Sequence, residues 1–107
     1  MAITVTGKSG KTYTFEGGYT SAESLQDRSG VYAIIDKLNN NLSLIDVGES
    51  SEVKTRIENH DREACWNGKR KGQLQVAVLY TPNSQQQGRM NIEQDIRQNY
   101  LNLCGVR

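Results

Sequence analysis

The chain has 107 residues, of which 36% are hydrophobic, with a mean hydropathy of -0.67 and a formal net charge of +1. That length supports one domain, residues 1–107, built on one modest core. The near balance of 13 basic and 12 acidic side chains excludes a protein that coats DNA by general phosphate neutralisation, so any nucleic-acid site must be local.

Taken in order, Ile3-Thr4-Val5 and Thr12-Tyr13-Thr14-Phe15 alternate around Gly7-Lys8-Ser9-Gly10, which predicts a β-hairpin over residues 1–20. Gly17-Gly18 is expected to end it, and residues 21–28 read as a loop or a short helical turn. Gly30 to Asp36 and Leu42 to Val47 are rich in strand formers and separated by Asn39-Asn40-Asn41, residues that suit a turn. They predict a second, more apolar hairpin.

Ser50 or Ser51 is placed to cap a helix, with Glu52 in its first turn, and Val53, Ile57 and Ala64 recur at near-helical spacing. Lys69-Arg70-Lys71 lies between Gly68 and Gly72 and reads as a basic loop. Leu74 to Tyr80 predicts a third core strand, stopped before Pro82. After the polar stretch 83–88, a last helix is expected with Ile92, Ile96 and Leu103 on one face. No internal repeat stands out.

Cys65 and Cys104 form no CxxC pair, and the chain has one histidine, so neither a zinc site nor a disulfide framework is expected. The reading is two reduced cysteines in a cytoplasmic protein. Met1 to Val5 lacks the design of a signal peptide. Val31–Ile35, the longest apolar run, is far short of the roughly 20 residues that span a bilayer, so no membrane partner is expected.

The order β-β-α-β-α over residues 29–105 resembles the GIY-YIG nuclease domain. Gly30-Val31-Tyr32 opens the first core strand as that family's first motif does. Asp46-Val47-Gly48 closes the second strand where the family has Tyr-Ile-Gly or Tyr-Val-Gly. Arg56 follows Gly48 by eight residues, His60 lies one turn further on, and Glu93 falls in the last helix, where the family keeps its metal-binding glutamate.

The resemblance implies an α+β (α/β) fold with a small three-stranded antiparallel core sheet flanked by helices, the N-terminal hairpin being an addition at a sheet edge or a dimer contact. It implies a metal-dependent endonuclease acting on DNA. Glu93 would hold Mg2+ or Mn2+, Arg56 would bind phosphate oxygens, Tyr32 would help deprotonate the attacking water, and His60 would tune it. A phenol needs a cation or an imidazole beside it to serve as a base at pH 7.

The chain departs from the pattern at two points. Asp46 replaces the second motif's tyrosine, either repelling an anionic substrate or acting as a second metal ligand or base. The family's late asparagine is matched in register by neither Asn99 nor Asn102. Lys69, Arg70 and Lys71 are either a solvated loop or contacts to a DNA backbone. Trp66 reads as a core plug. The alternative to a nuclease is a catalytically inactive module that keeps the fold to bind a nucleic acid, a protein partner or a second copy.

Overall fold

The computed structural model describes residues 2–83 and 85–105. Its elements are β1 (Ala2–Thr6), β2 (Thr12–Tyr19), a 3-10 turn (Ala22–Ser24), β3 (Gly30–Leu38), β4 (Asn41–Ser50), α1 (Val53–Glu58), α2 (Glu63–Lys69), β5 (Gln73–Tyr80) and α3 (Gln86–Asn99). The α+β class is as expected; the sheet is larger. Five strands run antiparallel in the order β1-β2-β5-β3-β4.

The hairpin is therefore part of the sheet and not an addition to a three-stranded one. Gly17-Gly18, expected to end β2, instead lets it continue. A Cβ on Gly17 would lie 2.7 Å from the Val76 carbonyl oxygen, and one on Gly18 would lie 2.3 Å from the Gln75 side chain. Without those atoms β2 packs against β5, pairing Glu16 with Val78 and Tyr19 with Val76 across a shift in register.

Strand β3 is interior, between β5 and β4, and Val31 to Ile35 are all buried because both its faces are covered. Tyr32 and Ile34 point to one side, where Leu25, Ile45, Val53, Ile57, Trp66, Val78 and Cys104 complete a cluster under α1 and α2. Val31, Ala33 and Ile35 point to the other, where Val5, Phe15, Val47, Ala77 and Ile96 pack under α3. Period-two alternation thus sorts neighbouring residues into separate cores.

The helix expected through Ala64 is two helices. The chain breaks at residues 59–62, where the His60 ring accepts the Arg62 backbone N–H (3.0 Å). The Ser50 hydroxyl accepts the Glu52 N–H (3.0 Å), while the first turn of α1 is closed from outside. Asp27 takes the Thr55 amide (3.0 Å) and hydroxyl (2.7 Å), satisfying a donor that a helix start leaves open. Those bonds hold the exposed Asp27 carboxyl below its usual range.

Leu103 lies beyond the end of α3, whose last residue is Asn99. Asn102, in the left-handed region at φ 65°, turns the chain back along β4, and the Cys104 N–H reaches the Ile45 carbonyl (2.9 Å). This covers the outer edge of β4, which a sheet must otherwise leave open to other strands.

The same return brings Cys104 to α2, where it is bonded to Cys65 (S–S 2.05 Å) across 39 residues of sequence. The expectation of two reduced cysteines is corrected. Their separation along the chain hid a proximity that arises only when α2 and the C-terminal segment meet at one sheet edge. No helix among the described residues is long and apolar enough to cross a membrane.

Candidate functional site

Tyr32 enters the α1–α2 side from near the start of β3, opposite Gly48 on β4. A Cβ on Gly48 would lie 2.1 Å from the Tyr32 hydroxyl, so the glycine leaves the room that the ring occupies. Gly30 serves similarly at the strand start, where a Cβ would sit 2.6 Å from the Leu79 carbonyl oxygen of β5. Both motif glycines are thus required by close approach.

The Tyr32 hydroxyl lies 2.5 Å from Nε2 of His60. Nδ1 of that ring accepts the Arg62 amide, which assigns the neutral ring's proton to Nε2 and makes His60 the donor to Tyr32. The imidazole lies edge-on to Tyr32, with centroids 5.5 Å apart, and against Trp66 at 4.4 Å.

Burial, then the charges of Arg56 and Arg62, hold the His60 pKa down at about 4. Burial pushes the Tyr32 phenol up to about 12, with Arg62 and Arg56 the cations that oppose the rise and Asp46 and Glu93 the anions that add to it. At pH 7 the pair is a protonated phenol beside a neutral imidazole.

The histidine's folded pKa lies below its ordinary 6.5, so the unfolded chain binds the proton first as pH falls. The contribution of His60 is present above about pH 6.5 and is lost down to about pH 4. Stability is expected to fall across that window, and His60→Gln to flatten the fall, as followed by urea unfolding at each pH. An equal slope in the variant would show that other groups set it.

Asp46 sits beside a shift in register at Ile45, where β4 gains a residue against β3; such a bulge re-aims side chains. Its fully buried carboxylate has donors on both oxygens. Oδ1 accepts the Val47 amide (2.8 Å) and Arg97 Nη2 (2.6 Å), and Oδ2 accepts Arg62 Nε (2.8 Å) and Trp66 Nε1 (2.7 Å). Two guanidiniums neutralise it, so it presents no bare negative charge to a substrate and has no oxygen to spare for a metal or a proton.

Arg97 reaches this point from α3. Its Nε binds Glu93 Oε2 at 3.0 Å, Nη1 binds the Cys104 carbonyl at 2.8 Å, and Nη2 also binds the Val47 carbonyl on the β4 edge. Glu93 is itself buried at 1% exposure. One turn earlier Arg89 pairs with Glu49 of β4 at 2.9 Å, so α3 faces the sheet edge with charged groups rather than apolar ones.

Five of the residues expected from the motif spacing (Tyr32, Asp46, Arg56, His60 and Glu93) therefore lie around one polar cluster. Arg56 is at its exposed rim, paired with Asp61 at 3.1 Å. The others expected are elsewhere. Asn99 binds the Thr6 carbonyl (2.9 Å) beside the hairpin.

Asn102, Lys69 and Lys71 line a groove of about 430 Å3 with Asp36 and Ser43, roughly 13 Å along β3 from Tyr32 at ~3.3 Å per residue. Lys69 ends α2 and does not lie in the loop. The Lys71 and Gly72 amides bind Asp36 at 2.9 and 2.8 Å.

Sequence spacing gave no sign of Arg62, of the indole N–H of Trp66, expected only as a core plug, or of Arg97 reaching past Glu93, its i,i+4 partner on α3, to Asp46. A carboxylate in the apolar run Leu44 to Val47 was the available signal, since a buried charge demands partners; which cations would answer it was not written in any spacing.

Asp46 is saturated, and Glu93, the residue the resemblance assigns to a divalent cation, accepts Arg97 Nε through Oε2. No group of three or more His, Cys, Asp or Glu side chains placed to hold a metal exists among the described residues. One carboxylate completed by water and phosphate oxygens is a donor set that suits Mg2+ or Mn2+. Compared with models of known protein families, with curated proteins and with solved structures, the chain matches none.

Proposed function

We propose that the Tyr32–His60 cluster is the site of a GIY-YIG-like, metal-dependent endonuclease that hydrolyses DNA phosphodiester bonds. The observation that carries this reading is the convergence itself. Residues from β3, β4, the α1–α2 break and α3, expected from the resemblance, lie around one hydroxyl. A buried polar network of this density is costly unless every member is satisfied. A function at the hydroxyl gives a reason to keep it.

In this reading Arg56, at the rim, binds a phosphate oxygen through its planar fork. His60 donates through Nε2 and fixes the direction of the Tyr32 hydroxyl, which holds a proton at rest, gives it to a phosphate oxygen and takes one from the attacking water. The charge of Arg62 favours the tyrosinate. Glu93 would hold the cation, which when bound stabilises charge on the phosphate. Trp66 and the apolar side chains beneath it keep bulk water from the Tyr32–His60 pair.

Cleavage of supercoiled, branched and single-stranded DNA in Mg2+ or Mn2+ tests the proposal. Wild type is expected to cut. Tyr32→Phe is expected to lose about 10²–10⁴-fold in rate, the range for a positioned proton-transfer group, and Glu93→Gln to abolish cutting while keeping its bond to Arg97.

The burial of Tyr32 and Glu93, each at 1% exposure, favours a second reading, a non-catalytic module whose network is structural. It predicts DNA or protein binding that survives Tyr32→Phe, with no cutting by any form.

A further inference from the structure

We infer that Arg62 is a second phosphate-binding residue of this site, held in place by Asp46, the residue that stands where the resemblance has a tyrosine. The inference rests on the proposed function and names a substrate contact that the motif does not contain.

Three side chains bind Asp46, and they differ in what they have left. Trp66 gives its single N–H and is 4% exposed. Arg97 has an 8% exposed side chain and spends all three nitrogens on Asp46, Glu93 and the carbonyls of Val47 and Cys104. Arg62 alone reaches solvent, with 25% of its side chain exposed. It binds Asp46 through Nε at 2.8 Å and more loosely through Nη2 at 3.4 Å, and Nη1 has no acceptor among the described residues. A guanidinium anchored along one edge presents its remaining N–H groups in a fixed direction.

Arg62 is tied to the site through its backbone as well as its charge. Arg62 is the largest of the charges acting on the Tyr32 hydroxyl, and its own backbone N–H fixes the His60 ring. Arg97, Trp66 and the Val47 amide already place donors on both oxygens of Asp46, so the bonds from Arg62 add to a carboxylate that has other donors. Asp46 in turn is the fixed anion that stops a long, flexible side chain from wandering. With Arg56 at the rim, a phosphate would meet two guanidiniums, one carried on each side of the α1–α2 break.

The test measures binding of a fluorescein-labelled DNA duplex against salt, and cleavage of the same duplex and of branched DNA, for wild type, Arg62→Met, Arg62→Lys and Asp46→Asn. Arg62→Met is expected to reduce the slope of log K against log salt by about 0.9, the loss of one phosphate contact. Arg62→Lys keeps the charge and the slope but loses the fork, with kcat down at least tenfold. Asp46→Asn is expected to lower kcat while KM changes little, because the arginine remains but is no longer fixed.

A folded Arg62→Met with the wild-type slope would overturn the inference and leave Arg62 as a packing partner of Asp46. Should Arg62→Met fail to fold, Arg62→Lys decides, and wild-type turnover in that variant overturns the inference. A wild type that neither binds nor cuts DNA overturns the proposed function itself, and this inference with it.

Discussion

Replacing Arg97 by methionine is expected to lower the free energy of unfolding by about 3–5 kcal/mol, the cost of stranding a buried charge. Methionine fills much of the same volume, so the loss comes from electrostatics and hydrogen bonding more than from a cavity. Arg97 links four groups at once: Asp46, Glu93, and the carbonyls of Val47 and Cys104.

Its removal leaves Arg62 as the one cation bonded to Asp46, takes the Arg97 bond from Glu93, both carboxylates being almost fully buried, and uncovers a carbonyl on the edge of β4. The diagnosis can be checked by adding Asp46→Asn and Glu93→Gln. If stranded charge is the cause, the triple variant recovers much of the stability that Arg97→Met lost, a strong departure from additivity. Urea unfolding of wild type, Arg97→Met, the Asp46→Asn and Glu93→Gln double variant and the triple variant measures this. A loss below about 1 kcal/mol for Arg97→Met would mean that the network relaxes around the gap.

The second large effect belongs to the Cys65–Cys104 bridge. A cross-link closing 39 residues removes conformations from the unfolded chain worth about 4 kcal/mol in the chain-entropy account. Domains of this kind are stable by only about 5–15 kcal/mol in total, so the paired Cys65→Ser and Cys104→Ser variant is expected to unfold at a much lower urea concentration. The same shift should appear in wild type on adding reductant.

The bridge also joins two supports of the candidate site. Cys65 precedes Trp66, which donates to Asp46, and the Cys104 carbonyl accepts Arg97. Reduction is therefore expected to loosen the cluster before the sheet. Coincident midpoints for oxidised and reduced protein would show that packing of the C-terminal segment suffices alone.

Strand and helix types were legible because they depend on local periodicity. Val31 to Ile35 reads as a buried strand and Leu74 to Tyr80 as another, and both are. The residues that carry the resemblance could be picked out by their order along the chain, and four of them, Tyr32, Arg56, His60 and Glu93, lie around one polar cluster. What failed did so for non-local reasons. Gly17-Gly18 looks like a strand end until β5 is seen to need a neighbour with no side chain there. His60 looks like mid-helix until its ring takes the Arg62 amide and breaks the helix.

By itself, then, the amino-acid order determined which segments alternate, which can turn and which residues the resemblance singles out. It left Asp46 open between repelling a substrate and serving as a ligand or base. Tertiary structure gave Asp46 a different character by surrounding it with Arg62, Arg97 and Trp66, and it joined Cys65 to Cys104. The physical reason is the same in both cases. Alternation and turn preference act between near neighbours in sequence, whereas the partners of a buried charge or a thiol are set by which distant segments the folded sheet brings to one edge.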